Sequence, residues 1–182
     1  MNTFISMLRG INVSGQKKIQ MADLRSLYES LGLVKVRTYV QSGNVVFGSS
    51  ESDTVKLTGL IEAQIEQVFG YALPIFVRGI AEFERIITSN PFLTARNEDP
   101  AKLHVTFLYR PLAESTLGNV LSPNTDGDEF FVGDQEIFLF CPNGYGRTKL
   151  SNNYFERKLK VAATTRNWQT VLALLKIAKD QG

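Results

Sequence analysis

The stretch VKVRTYVQSGNVVF, residues 34–47, decides the fold, because it places a turn between two β-rich runs. The runs at 34–40 and 45–47 are rich in β-branched and aromatic residues, which favour strands. The QSGN segment between them contains Ser42 and Gly43, and small polar residues of this kind mark a tight turn. The stretch therefore predicts a β-hairpin.

Helical patterns lie on both sides of this hairpin. Apolar residues recur at the spacing of one helix face before Gly32 and again between Ser52 and Gly70. The members of the two faces are Leu24, Leu27, Tyr28 and Leu31, and then Leu57, Ile61, Ile65 and Val68. With β-rich runs at Thr3–Leu8 and Ala72–Arg78, residues 1–90 are predicted to form a ferredoxin-like β-α-β-β-α-β subdomain.

The second half, residues 91–182, starts the same order again. Strands are predicted at Leu103–Arg110, at EFFV and at EIFLFC, with a short helix around Leu117, Val120 and Leu121. Two helices follow, the second beginning in the TTRNW segment before Trp168. The predicted order is β-α-β-β-α-α, in which the last strand is missing or replaced. The fold class is α+β, with two related subdomains packed as one compact unit and no repeat at the level of residues.

Composition describes an ordinary globular chain of 182 residues, with 43% hydrophobic and 21% charged residues. There is one cysteine, Cys141, and neither a signal peptide nor an apolar run of membrane-spanning length, so a cytoplasmic protein without a membrane partner is expected. The net charge of +2 does not by itself indicate nucleic acid. Charge is unevenly placed, however. Residues 111–146 contain no Lys, Arg or His, whereas residues 147–182 contain eight basic residues against Glu156 and Asp180.

Cations placed before helices indicate an anion site. Arg147 and Lys149 precede one predicted helix, and Arg166 is predicted in the first turn of the next, where the helix dipole repels positive charge. Gly144 and Gly146 free the backbone of this loop, and Ser151 or Asn153 is expected to cap the helix. Asn152 and Asn167 are predicted hydrogen-bonding neighbours of the anion.

The loop after the first strand, GINVSGQKK, is a second candidate. It is not a Walker motif, because Gln16 separates Gly15 from the lysine and no Ser or Thr follows. Arg9, Asn12 and Lys17 are predicted to form a second wall of the anion site. Gln41 and Asn44 of the QSGN turn are predicted to add polar specificity.

Structural alternatives accompany each of these sites. Arg147 and Arg166 could instead pair with the acidic residues between Asp126 and Glu136. Trp168 fits a core stripe with Leu172 and Leu175 better than a base-stacking platform. The single histidine, His104, has no second His to complete a metal site, and Cys141 fits a buried thiol, so no metal, cofactor or catalytic residue is assigned.

Five separated blocks together resemble a known bacterial family, the domain of unknown function numbered sixteen ninety-seven. The blocks are LRGINVSGQKK, MADLRSLYESLG, VRTYVQSGNVVF, GRTKLSNNYFERKL and ATTRNWQTV. The resemblance implies a cytoplasmic α+β protein with a ferredoxin-like portion. It brings no established activity, cofactor or catalytic residue.

These observations predict a cytoplasmic binding protein for a phosphate-bearing ligand, a nucleotide or RNA, held by basic loops at helix N-termini. Two alternatives remain open from the sequence. One is an enzyme acting on a small anionic substrate in the same pocket, and the other is a protein–protein interaction module. Oligomeric state is not specified by the sequence.

Overall fold

The chain contains two four-stranded sheets, seen in a computed structural model that describes residues 1–113 and 127–181. It divides into a first unit of Met1–Glu84 with Ala173–Gly182, and a second unit of Arg85–Leu172. The predicted boundary was between residues 90 and 91. The end of the chain belongs to the first unit, where Lys35 Nζ donates to the main-chain oxygen of Gln181 and Lys179 pairs with Glu84.

The first unit has the predicted β-α-β-β-α-β order. Its elements are β1 (Asn2–Leu8), α1 (Met21–Ser30), β2 (Val34–Tyr39), β3 (Asn44–Ser49), α2 (Thr54–Phe69) and β4 (Ile75–Gly79), followed by α3 (Ile80–Thr88). The antiparallel sheet has the strand order β2-β3-β1-β4. The predicted hairpin of β2 and β3 is confirmed. The α2 helix starts behind Asp53, whose carboxylate accepts from the amides of Val55 and Lys56, and it ends at Gly70 in the left-handed conformation.

The core of the first unit follows most of the predicted helical periodicity, although Val68, predicted on the face of α2, is exposed. Leu24, Leu27 and Tyr28 of α1 are buried, and so are Leu57, Ile61 and Ile65 of α2. They join the apolar side chains of one sheet face, Phe4, Leu8, Val45, Phe47 and Val77, in one cluster. The Tyr28 hydroxyl lies 2.9 Å from the Ser6 hydroxyl, which satisfies both buried polar groups.

The second unit forms a sheet of the same topology. Its elements are α4 (Pro91–Thr94), β5 (Leu103–Leu108), β6 (Glu129–Val132), β7 (Glu136–Phe140), α5 (Asn152–Leu159) and β8 (Ala163–Asn167). The last helix, α6 (Trp168–Lys179), begins in the second unit and ends in the first. The strand order is β6-β7-β5-β8. The prediction of a missing last strand is wrong, because β8 occupies that place. The helix predicted around Leu117, Val120 and Leu121 lies outside the described residues.

The register between β1 and β4 in the first sheet matches the register between β5 and β8 in the second sheet, residue by residue. Ile5 of β1 lies opposite Arg78 of β4, and Val105 of β5 lies opposite Arg166 of β8. Both arginines are buried, and each donates from Nη1 to the carbonyl oxygen of the preceding residue at 2.9 Å. The chain is therefore an α+β fold of two similar halves, although the halves share no repeat visible in sequence.

Acidic residues of the second unit pair with arginines that precede its sheet. Arg85 binds the buried Glu136 carboxylate through two nitrogen–oxygen contacts of 2.7 Å. Arg96 forms a second two-bond pair with Glu129, at 2.7 and 3.0 Å. These two carboxylates thus pair with Arg85 and Arg96 rather than with Arg147 or Arg166. Asp126 lies outside the described residues.

Within residues 1–113 and 127–181, no helix has both the length and the apolar content needed to cross a bilayer.

Candidate functional site

The predicted anion site centres on the loop of residues 141–151, which joins β7 to α5. Gly144 has φ +88°, and a 3-10 turn at Tyr145–Arg147 follows it. Ser151 caps α5, since its hydroxyl accepts from the Tyr154 amide at 3.2 Å. The side chains of Arg147 and Lys149 are both exposed. The structure therefore places two cations and a capped helix N-terminus in one short segment, as predicted for this helix.

A stacked ring pair lies at the end of the second sheet where β5 begins. The His104 ring, at the start of β5, stacks on Tyr145 of the loop with ring centroids 4.8 Å apart and an interplanar angle of 26°. Burial lowers the pKa of His104, which favours the neutral form of its ring. Its Nδ1 atom is buried and has no hydrogen-bond partner among the described residues. Sequence reasoning missed this pair, because strand pairing and loop geometry bring together residues that are far apart in the chain.

Asn152 is tied to the second sheet. Its Oδ1 atom accepts a hydrogen bond of 2.6 Å from the Thr165 hydroxyl, which also lies 2.8 Å from the Thr106 hydroxyl. These contacts join the first residue of α5 to β8 and β5. Asn152 therefore positions the N-terminus of α5 beside the sheet.

The predicted position of Arg166 in the first turn of a helix is wrong, because this residue lies on β8. Only 8% of Arg166 is exposed, and its Nη1 atom donates to the Thr164 hydroxyl at 2.8 Å and to the Thr165 carbonyl at 2.9 Å. The α6 helix begins at Trp168, and the Asn167 side chain accepts from the Thr170 amide at 2.8 Å. Two adjacent β-branched threonines pair with β5 and continue as a strand, so the helix starts later than its sequence pattern suggested.

Arg166 also faces away from the loop. Its contact with the Thr164 side chain places both on one face of β8, whereas Thr165 points to the face that carries Asn152. Arg166 and Asn152 thus lie on opposite faces of the second sheet. Asn167, which caps α6, is exposed at the strand end.

The first loop is held together by Asn12. Its Nδ2 atom donates to the carbonyl oxygens of Ile19 at 2.9 Å and Gln41 at 2.8 Å, and its Oδ1 atom accepts from the Ile19 amide. Both amide hydrogens are used inside the first unit, so we assign Asn12 the role of holding this loop to the hairpin turn. Of the other predicted wall residues, Arg9 is half-buried and Lys17 is exposed with φ +44°.

The two polar residues of the QSGN turn differ in position. The Gln41 side chain is exposed, as a ligand contact requires. Asn44 is fully buried, and its Nδ2 atom donates to the Tyr39 carbonyl at 3.1 Å and to the Ser42 hydroxyl at 2.8 Å. Asn44 therefore supports the turn from inside, and its predicted contact with a ligand does not fit this position.

Cys141 is a buried thiol, as its place at the end of an apolar run indicated. It is fully buried, and burial raises the pKa of the thiol to about 11. The thiolate is the reactive form, and an unperturbed thiol has a pKa of about 8.5. A nucleophilic role for Cys141 is therefore disfavoured.

We expect the Cys141 thiol of the folded protein to react with an aromatic disulfide reagent at pH 8 at least about 100-fold more slowly than that of the unfolded chain. The measurement is the rate of the reaction between the thiol and the reagent, with and without urea, followed by the absorbance of the released aromatic thiolate. Equal rates in the two states would show that the thiol is accessible and ionised in the folded protein.

The architecture defines a class of α+β proteins with two similar halves, each built on a four-stranded antiparallel sheet. Within that class, the chain belongs to the family described as protein of unknown function DUF1697, which matches residues 1–138. The match stops before the loop of residues 141–151.

The chain is also similar to a solved structure, described as the structure of conserved bacterial protein SP0830 from Streptococcus pneumoniae. The two share 23% identity over 97% of this chain and 98% of that chain, with a TM-score of 0.74, and this likeness shows the fold. No curated protein matches the chain.

Proposed function

We propose that the protein binds a phosphate-bearing ligand, a nucleotide or RNA, at the loop of residues 141–151. The observation that carries this proposal is the placement of exposed Arg147 and Lys149 directly before the N-terminus of α5. Each cation at such a position costs about 0.3–1 kcal/mol through the helix dipole. A bound phosphate turns this repulsion into a net attraction, because its negative charge attracts both the two cations and the helix N-terminus.

The stacked His104 and Tyr145 rings support a ligand with an aromatic base. Both rings are half-buried beside the cationic loop, and aromatic side chains in such a position are the groups on which nucleic-acid bases stack. The proposal excludes Arg166, and it does not require Arg9 or Lys17, which belong to the first unit. It takes the cytoplasm as the compartment, as the family resemblance implies.

We expect a nucleotide or short single-stranded RNA at 100 times its dissociation constant to stabilise the wild-type protein by about 2.7 kcal/mol. The variant Arg147→Ala/Lys149→Ala removes two positive charges from the loop and should lose this stabilisation. The measurement is thermal unfolding against nucleotides, sugar phosphates and RNA.

The variant Arg157→Ala/Lys158→Ala is the matched control, because it removes two exposed charges from the other end of the same helix. The control should retain the thermal shift. A shift that disappears equally in both variants would indicate non-specific attraction to net charge. The absence of a shift with every compound would contradict the proposal.

A further inference from the structure

The outer face of α2, in the first unit, carries small residues along its middle. It is the side of the helix opposite Leu57, Ile61 and Ile65, which are buried in the core. Because each residue turns an α-helix by about 100°, Gly59 and Ala63 lie at the centre of this face. The exposed residues that form the outer face of α2 are Val55, Lys56, Gly59, Leu60, Ala63 and Glu66.

Gly59 is not required by any contact within the described part of the chain. Glycine is among the least favourable residues in the interior of an α-helix, because it loses the most backbone freedom on folding. Gly59 lies in the middle of α2, and an added Cβ atom would meet no heavy atom of the described residues within 4 Å. A glycine on an exposed helix face does, however, allow the backbone of a second helix to approach closely. Gly59 therefore points to a helix that packs on this face from outside the chain.

Two large apolar side chains flank the small residues, one on each side. Val55 is 78% exposed and Leu60 is 46% exposed. Leu60 also borders a depression whose walls include Leu31 and Leu33, between α1 and β2. Apolar side chains on a helix face lose unfavourable contact with water when a partner covers them. The face thus combines a close-approach centre with apolar edges.

The two charged residues of the face are placed symmetrically about Ile61. Lys56 lies five positions before it and Glu66 five positions after it, on opposite sides of the centre of the face. Lys56 is 69% exposed and reaches a carboxylate oxygen of Glu51 only at 3.7 Å. Among the described residues, the Glu66 side chain has no ion-pair partner. It lies four positions after Glu62, a spacing at which like charges repel on a helix.

We propose that this face binds the same face of a second copy of the chain, with the two α2 helices antiparallel about a two-fold axis level with Ile61. Gly59 then lies opposite the partner's Ala63, and Lys56 lies opposite the partner's Glu66. Each contact occurs twice, as in every isologous interface. The two Leu60 side chains come together beside the axis, because Leu60 is one position from it. The charges of the face are therefore complementary to those of a second copy.

The size of this interface predicts a weak dimer. The 16 residues of α2 span about 24 Å, so one helix pair buries less than the standard interface of about 800 Å² per partner. We therefore expect a dimer that dissociates at micromolar concentration and forms as the concentration is raised.

The test is analytical ultracentrifugation of the full chain between about 2 and 500 µM, a range that brackets weak association. The wild-type mass should rise with concentration from 20.4 kDa toward twice that value. Gly59→Leu places a large side chain at the centre of the interface and should weaken association at least about tenfold. At about 2 µM, where the chain is monomeric, the unfolding midpoint of Gly59→Leu should not fall, because leucine favours a helix more than glycine does.

A charge exchange tests the predicted pairing directly. Lys56→Glu places two carboxylates opposite each other at both ends of the interface and should weaken association at least about tenfold. Lys56→Glu/Glu66→Lys has the net charge of the wild type and should restore association. Both substitutions suit the helix dipole of α2, so neither is expected to unfold it. The control Lys18→Glu makes the same change in net charge at an exposed residue outside α2 and should leave association unchanged.

Three results would overturn the proposal. The first is a wild-type mass that stays at the monomer value over the whole concentration range, which would leave this face to a partner of different chemistry. The second is association of Gly59→Leu as strong as that of the wild type, which would place the interface elsewhere. The third is a double variant that associates no better than Lys56→Glu, which would contradict the pairing of Lys56 with the partner's Glu66.

Discussion

Replacing Gly43 by alanine is expected to destabilise the protein by about 3 kcal/mol. Gly43 closes the hairpin turn with φ +75°, a conformation that costs an L-residue about 1–2 kcal/mol. A Cβ atom there would lie 2.8 Å from Leu8 Cβ and 2.7 Å from Ile11 Cδ1. Leu8 Cβ cannot move without its backbone, and the Leu8 amide is itself bonded to the Gly43 carbonyl oxygen. Overpacking of this kind adds about 1–3 kcal/mol.

Gly15→Ala is the matched control for this substitution. Gly15 has the same φ of +75°, but an added Cβ atom would meet no heavy atom within 4 Å. The control should therefore show the conformational cost alone, about 1 kcal/mol. In thermal unfolding, we expect Gly43→Ala to lower the midpoint by about 6–12 °C and Gly15→Ala by about 2–4 °C. Equal shifts would show that the close packing of Gly43 contributes nothing.

Replacing Arg85 by methionine is expected to cost about 2–3 kcal/mol of the free energy of unfolding, measured by urea titration. Arg85 holds the Glu136 carboxylate, which is 1% exposed, through two contacts of 2.7 Å. Without the guanidinium, this carboxylate stays buried with only weak support, such as the Gln135 amide at 3.2 Å. The expected loss is below the usual range of about 3–5 kcal/mol for a buried pair, since Arg85 is itself 39% exposed and water can reach the site.

Arg96→Met is the control for the ion pair. Arg96 binds Glu129 with similar geometry, but both side chains are part-exposed, at 39% and 45%. Its removal should lower the free energy of unfolding by much less than the removal of Arg85, because exposed ion pairs contribute little. The double variant Arg85→Met/Glu136→Leu should recover part of the loss, because it removes the buried charge together with its partner. If Arg85→Met and Arg96→Met destabilise equally, burial of Glu136 does not decide the stability of this pair.

Sequence patterns predicted the first unit well, because its helices and hairpin are specified by residues that are close together in the chain. The i, i+3, i+4 spacing of Leu24, Leu27 and Tyr28 requires a single buried helix face, and the structure has one. The same reasoning failed at Thr164 and Thr165. Threonine is common both at helix caps and in strands, and here pairing with β5 makes both residues part of strand β8.

The candidate site shows a similar division. The exposure of Arg147 and Lys149 and the cap at Ser151 followed from a segment of a few residues. The buried position of Arg166 did not, because it depends on the register with Val105. Asn12 and Asn44 looked like polar surface groups in sequence, yet their hydrogen bonds are made to main-chain groups brought close by the fold.

The sequence by itself determined the α+β class, the hairpin at residues 34–47, the helix faces and the cationic character of the loop after β7. These features depend on periodicity, turn residues and charge, which act over a few positions along the chain. Only the tertiary structure decided the eighth strand, the matching positions of Arg78 and Arg166, and the His104–Tyr145 stack. Each of these depends on which distant segments pair and in which register, and residue types alone do not encode that choice.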